Sequence, residues 1–469
     1  MDKEYRQPSV PGSPPAGRLS EGVRTLLGDP KKAIIKLSLP VIAATLIQTI
    51  YNLVDAIWVS GLGADALAAV GFFFPFYFMS LAIGLGLGIG GGSAISRRIG
   101  AKDRAGAGSV ATHTLVLMAI LATVVAIPLF TFAEPIFVSI GAGRTTGLVV
   151  SYARIMFGGT FIVFFPSVAS AILRAEGDVK RAMYAMAFGS VLNIALDPIF
   201  IYTLGMGVAG AAWATIISMG STSLILINWL FLRKDTYVTF TFRGFRFDKA
   251  VLKDILGVGV PASVMFLAMS FTLFIMNVII VNVGGTDGVA VFSTGWRVVT
   301  IATLPVIGIG TAVVSVTGAA YGSRDYEKLK TAYLYAIRLG VMIEVPAAAA
   351  TYLLAPYIAG AFTWAENSAR IADDLVLFLG IAALTYPAVA FGPASSSMFQ
   401  GTGKGVNALI DTVIRTVLLT PPLALLFAYL MGLGLPGVWW GIVMANLIGA
   451  SLAFVWALWY IRGLKSSLA

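Results

Sequence analysis

Cysteine is absent from the 469 residues, histidine occurs once, and charged residues make up only 12% of the chain. Without cysteine there is no disulfide framework, no thiolate metal site and no cysteine nucleophile. His113 alone excludes a multi-histidine metal centre. Soluble domains carry about 25% charged residues; half that share, beside 58% hydrophobic residues, marks a membrane protein. No metal constellation and no nucleophile paired with a base is in view, so the chain is expected to be no enzyme and to need no cofactor. The net charge of +10 calls for no nucleic-acid partner, because its distribution follows membrane orientation.

What is present is a series of long apolar runs. Twelve of them lie between residues 34 and 461, each long enough to cross a bilayer, which takes about 20 residues. They are continuous, not the alternating segments of about ten residues that a β-barrel uses. Of the 32 Lys and Arg residues, only Arg144 and Arg370 fall in odd-numbered loops. Basic loops stay in the cytosol, so both termini are expected there, with the chain in the cell membrane. The first thirty residues are rich in Pro, Gly and Ser and lack the apolar core of a signal peptide.

The two halves repeat. Pro40 corresponds to Pro261, Gly100-Ala101-Lys102-Asp103 to Gly322-Ser323-Arg324-Asp325, Gly177 to Gly403, and Gly207 to Gly434. Six spans per repeat leave both halves in the same orientation, related by an axis along the membrane normal with a cavity between them. The expected fold is an all-α polytopic membrane protein of twelve transmembrane helices in two pseudo-symmetric six-helix lobes. Residues 1–30 read as a flexible cytosolic tail, 31–232 as the N-lobe, 233–253 as a cytosolic linker, 254–462 as the C-lobe and 463–469 as a C-terminal tail.

Two carboxylates sit inside apolar runs: Asp55 in the first and Asp197 in the fifth. A charged residue at the centre of a membrane helix costs about 2.5–3.5 kcal/mol on insertion scales, and it usually faces a cavity or a partner. The repeat puts Met276 and Ala424 at the equivalent C-lobe positions, so packing symmetry does not require the pair. At 1.5 Å per residue, Asp55, Asp197 and Thr215 of the sixth span all lie roughly 9–12 Å below the outer surface. Tyr51 and Asn193 are each one turn from an aspartate, on the same helix face. Pro198 frees a backbone carbonyl near Ile194. Asp55, Asn193, Asp197 and Thr215 thus form a candidate site for a hard cation, either Na⁺ or a proton.

Other charges are expected to be structural. Asp411 and Arg415 are spaced i, i+4 and should pair; Glu344 and Arg297 should find partners within the bundle; His113 should be solvated. Gly86-Leu87-Gly88-Ile89-Gly90-Gly91 matches a dinucleotide fingerprint in letters only. It lies inside a span, where its glycines permit close helix packing.

The stretches Tyr51–Gly61, Leu173-Arg174-Ala175-Glu176-Gly177-Asp178 and Leu192–Phe200 resemble the multidrug and toxic compound extrusion (MATE) family, most closely its DinF-like prokaryotic branch and archaeal members especially. The resemblance covers roughly residues 25–462. It implies a V-shaped pair of lobes and cation-coupled antiport, by alternating access, of small amphipathic, often cationic, molecules. It also implies that Asp55, Asn193, Asp197 and Thr215 hold the cation, and that Tyr51, Asn52 and Tyr152 line the N-lobe cavity. The first helix would bend at Pro40, with Pro198 a second hinge. Related members carry asparagines in the fourth span where this chain has Pro166, Ser167 and Ser170, which places Ser170 among the expected cavity residues. A flippase for lipid-linked precursors is the alternative. Nothing in the sequence requires more than a monomer.

Overall fold

The computed structural model describes residues 20–233, 235–364 and 366–466; most of the tail read from residues 1–30 lies outside them. All regular elements among the described residues are helical. They run α1 Glu21–Leu27, α2 Pro30–Ser60, α3 Ala64–Gly100, α4 Arg104–Thr131, α5 Ala133–Ser139, α6 Thr146–Gly158, α7 Thr160–Ala175, α8 Val179–Pro198 and α9 Gly207–Ile227 in the first half. The second half holds α10 Lys249–Ala302, α11 Leu304–Gly322, α12 Tyr326–Phe362, α13 Ala372–Ala383, α14 Tyr386–Val389, α15 Phe391–Gly401, α16 Gly405–Val413, α17 Thr420–Leu425 and α18 Gly434–Ser466. Ten helices are long and apolar enough to cross a membrane, and two bent pairs, broken by 49° and 46°, bring the number to as many as twelve. The long α10 is broken at Gly285, whose φ of 61° and ψ of −157° suit glycine alone. Large apolar side chains face outward, among them Leu224, Leu353 and Trp459, each about 70% exposed, as a lipid-facing surface requires.

The internal repeat is written into the backbone. Lys102 and Arg324, 222 residues apart, are the two non-glycine residues at positive φ among the described residues, at 58° and 57°. Each precedes an aspartate that caps the next helix: Asp103 accepts from the Gly106 N–H (2.8 Å), and Asp325 from the Lys328 N–H (2.9 Å). A capping carboxylate satisfies an otherwise orphaned donor of the first turn. Packing repeats too. A Cβ on Gly100 would strike the Ala319 carbonyl, and one on Gly322 would strike the Arg97 carbonyl. Residues 97 and 319 are themselves 222 apart, so these contacts are reciprocal across a pseudo-two-fold axis.

The lobes meet at the end that carries the basic loops. There α3 packs on α10, and α2 on α11, the same pairing seen from either half. Gly86 and Gly90 of α3 face Gly259 of α10 so closely that a Cβ on Gly90 would overlap the Ile255 carbonyl. The glycine-rich run is thus a helix-packing surface. Cross-lobe hydrogen bonds lie at this end. Arg97, 9% exposed, reaches Asp254 (2.5 Å) and the Gly401 carbonyl (3.2 Å), and Ser93 donates to the Gln400 carbonyl. One apolar core runs through both lobes here, while a second belongs to the C-lobe alone.

Three local expectations are corrected. Residues 21–27, assigned to the tail, form α1, with Val23 and Leu26 fully buried; an apolar i, i+3 pair needs only one turn to find the core. At the other terminus α18 continues to Ser466, past the start of the predicted C-terminal tail. His113 is 3% exposed because the linker folds over it: Asp248 N donates to its Nε2 (3.0 Å), and Phe245 packs 4.7 Å from its ring.

The linker is anchored a second time. Glu176, in the turn between α7 and α8, is buried and accepts the Val238 N–H at 3.1 Å. Burial pushes its carboxyl from 4.5 up to about 8, against the pull of that hydrogen bond. Between those two values the folded protein holds a proton that the unfolded chain has released, so stability falls as pH rises through this window. The thermal unfolding midpoint should decline from pH 5 to about 8, and Glu176→Gln, which cannot ionise, should flatten the decline. An unchanged slope in the variant refutes the assignment.

Candidate functional site

The N-lobe encloses a cavity of about 260 Å³, lined mainly by α2, α3, α7, α8 and α9. Its walls mix apolar side chains with Gln48, Tyr51, Tyr77, Ser170, Asn193 and Thr215. The cavity ends at Tyr51, Asn193 and Thr215, and Asp55 and Asp197 lie one helical turn, about 6 Å, beyond. Asp197 and Asn193 both point inward from α8, and Thr215 faces them from α9; all three are buried. Asp55 comes from α2, half-buried, and meets Asp197 side by side.

The hydrogen bonds of Asn193 fix its amide. With the orientation that satisfies both ends, its NH₂ donates to Asp197 Oδ2 (2.9 Å), and its oxygen accepts from the Thr215 backbone N–H (3.2 Å). The Thr215 hydroxyl donates to the Ala211 carbonyl (3.0 Å). One oxygen of Asp197 remains: Oδ1 is buried and has no hydrogen-bond partner among the described residues. An orphaned carboxylate oxygen beside a second carboxylate is incomplete without a positive charge between them. Two carboxylates and the Thr215 hydroxyl are hard oxygen donors, suited to Na⁺ or a proton, while the Asn193 NH₂ steadies Asp197. Among the described residues no group of three or more His, Cys, Asp or Glu offers a divalent site.

The local sequence explains the geometry. Beyond Pro198 the helix widens into a π-turn, Ile199–Thr203. Such turns are rare and recur at functional sites. Tyr202 from this turn donates to the Trp58 carbonyl (2.5 Å), tying the end of α8 to the end of α2 above the aspartates. Pro40 lies inside α2, which runs unbroken from Pro30 to Ser60. It lines a second, smaller pocket near the lobe junction.

The other expected cavity residues divide. Tyr51 and Ser170 line the cavity, and the Ser170 hydroxyl, buried, has no partner among the described residues. Tyr152 does not line it; the ring is buried behind the wall, edge-on to Phe73 at 4.9 Å. Asn52 is exposed and outside the lining, since one residue rotates a helix by about 100° away from the Tyr51 face. Gln48 and Tyr77 were missed. Gln48 is seven residues before Asp55 on one face of α2, a spacing the sequence displayed. Tyr77 carried no signal, being one aromatic among many in α3. Arg174 sits in the last turn of α7, half-buried, lining both this cavity and the junction pocket.

The C-lobe charges do not pair as expected. Asp411 accepts from the Ser396 hydroxyl at 2.5 Å and makes no ion pair within 4 Å of Arg415 among the described residues. A neighbour on another helix has outcompeted the one a turn away. Glu344 is fully buried, with neither oxygen partnered among the described residues, and Arg297 is exposed.

Comparison with known proteins agrees with this architecture. The MatE family model matches residues 40–199 and again 261–426, one match per half. The multidrug export protein MepA of Staphylococcus aureus (strain bovine RF122 / ET3-1) is 26% identical over 430 residues, 90% of this chain and 92% of MepA. A crystal structure of MATE in complex with MaL6 superposes with a TM-score of 0.93 at 47% identity, covering 95% of this chain and all of that one. A MOP superfamily transporter from Pyrococcus furiosus, also 47% identical, gives 0.92 over 96% of this chain and 99% of its own. The chain belongs to the MatE family of multidrug and toxic compound extrusion proteins, which are membrane transporters and not enzymes.

Proposed function

We propose that this protein is a secondary active multidrug exporter that exchanges small amphipathic, often cationic, molecules for Na⁺ or H⁺. The observation that carries the reading is the juxtaposition of Asp55 with Asp197, whose Oδ1 is orphaned, at the end of the N-lobe cavity. The multidrug export activity named for MepA supports the substrate class. The protein works as a monomer in the plasma membrane, with both termini and the basic loops in the cytosol.

With the cleft open inward, an amphipathic molecule enters from the cytosol or the inner leaflet. The lobes then rock about the basic-end contacts. From outside, a cation binds between Asp55 and Asp197, with Thr215 beside them and Asn193 completing the site by holding Asp197 in place. Binding shifts the conformational equilibrium only by its difference in affinity between states. That difference arises at α2, where a bend at Pro40, which already lacks a backbone N–H, moves Tyr51 into the cavity and expels its contents. Tyr51, Tyr77 and Ser170 contact the substrate.

The test is ethidium efflux from proteoliposomes under a Na⁺ gradient and, separately, a pH gradient. Efflux driven by one of them is expected and names the ion. No efflux under either gradient, with folded protein, overturns the reading in favour of a lipid-linked substrate and a flippase.

A further inference from the structure

The C-lobe contains a cavity of its own, of about 210 Å³, with more aromatic walls than the first. Three aromatic rings, Trp296, Phe378 and Trp439, line it, and the ionised group facing it is Arg415. The rings form a preset array: Phe378 stands edge-on to Trp439 at 4.8 Å and 88°. Asn446 adds an amide at the wall.

Arg415 is built into this position. A Cβ on Gly392 would come within 3.0 Å of its Nε, and one on Gly449 within 2.7 Å of its Cγ, so two glycines open the passage through which the side chain reaches the cavity. Both have ordinary helical backbone, so space, not conformation, is their reason. Arg415 also lies in the π-helical segment Ile414–Leu419, followed by Pro421 and Pro422, which supply no N–H to the preceding carbonyls. The Thr420 hydroxyl donates to the Arg415 carbonyl at 2.9 Å in their place.

The Nε of the guanidinium is left unsatisfied. It is buried without a partner, and no ion pair to the guanidinium forms within 4 Å among the described residues. Asp411, one turn earlier, is occupied by Ser396. An arginine inside a membrane span normally pairs with an acid or with backbone carbonyls; this one faces an aromatic cavity instead. At the repeat offset of 226, its N-lobe counterpart is Gly189, which lines the first cavity. A positive charge at this repeat position is therefore specific to the C-lobe, while the arginine of the first cavity, Arg174, comes from a different position.

We infer that the C-lobe cavity is a binding site for a small aromatic anion, an aryl carboxylate or sulfonate, with Arg415 taking the anionic group and Trp296, Phe378 and Trp439 taking the ring. Arg presents planar paired donors to a carboxylate. Drug-sized ligands use pockets of about 300–1,000 Å³, so this cavity suits one or two fused rings. An acidic lipid headgroup offers the same charge but no ring for the aromatic walls. The inference stands independently of the export reading.

The test uses the full chain in phosphatidylcholine nanodiscs and calorimetric titration with 2-naphthoate, 2-naphthamide and 2-naphthylmethylammonium. Naphthoate is expected to bind at least tenfold tighter than either analogue. Arg415→Gln should erase that preference, and Arg415→Lys should retain part of it. Trp296→Leu should weaken all three probes alike and keep the preference, so the assignment is tested even where Arg415→Gln does not fold. Equal affinity for naphthoate and naphthamide, or an undiminished preference in Arg415→Gln, overturns the site. Loss of naphthoate binding when phosphatidylglycerol is added overturns the aryl assignment in favour of a lipid headgroup.

Discussion

Asp55→Asn and Asp197→Asn are each expected to lower gradient-driven efflux at least tenfold, to the level of empty liposomes, while leaving the protein as stable as before or more so. The two halves of this expectation have one cause. Asparagine keeps the shape of aspartate but carries no charge, so it neither takes a proton nor balances Na⁺. Without a cation bound differently in two conformations, the imposed gradient has no hold on the equilibrium. The same change removes a carboxylate from a low-dielectric position where each charge costs about 2.5–3.5 kcal/mol on insertion scales. A merely structural aspartate behaves in the opposite way: its asparagine variant loses stability first and transport in proportion. Thermal unfolding and efflux measured on the same preparations therefore decide the matter. Full efflux in Asp55→Asn would sink the coupling role. Asn193→Leu should act more mildly, since it takes one hydrogen bond from Asp197 Oδ2 and leaves the charge in place.

Arg97→Ala should open the basic end. One guanidinium joins α3 to Asp254 of α10 and to the Gly401 carbonyl of α15, and it is almost entirely buried. Truncating one member of a buried ion pair costs about 3–5 kcal/mol. Asp254 is 31% exposed, so water regains part of its charge, and about 2 kcal/mol is the fairer figure. That is roughly a thirtyfold shift in the equilibrium between closed and open forms. The chain has no cysteine, so Ala101→Cys and Ser323→Cys can be introduced as a labelling pair across the junction without removing any native thiol. Spin-label distances between them should lengthen and broaden in Arg97→Ala and recover partly in Arg97→Lys, which keeps the charge but not the fork of donors. An unchanged distance distribution would show that the glycine contacts close this end on their own.

Legibility tracked the strength of the local constraint. Asp55 and Asp197 stood out because a charge within an apolar run is conspicuous whatever surrounds it. Asp411 and Arg415 were equally conspicuous, yet their pairing failed. The i, i+4 rule considers a single helix, whereas Ser396 reaches Asp411 from α15. His113 was misjudged for a related reason. Its own helix face said nothing of a polar linker that folds back to bury it. Asn52 was carried over from a resemblance, and its position on α2, one residue past Tyr51, turned it out of the cavity.

By itself, the sequence determined the membrane setting, the helical spans and the duplicated architecture. A bilayer admits only segments that satisfy their own backbone and bury no water, and that demand is legible residue by residue. The turn of Lys102-Asp103 and Arg324-Asp325 could likewise be matched from the letters alone. Only the tertiary structure decided which buried polar atoms end unsatisfied among the described residues, including Asp197 Oδ1, the Arg415 Nε and both carboxylate oxygens of Glu344. Whether a buried polar atom has a partner depends on helices distant in sequence, and the glycines that bring those helices together are themselves silent until the neighbour that crowds them is known.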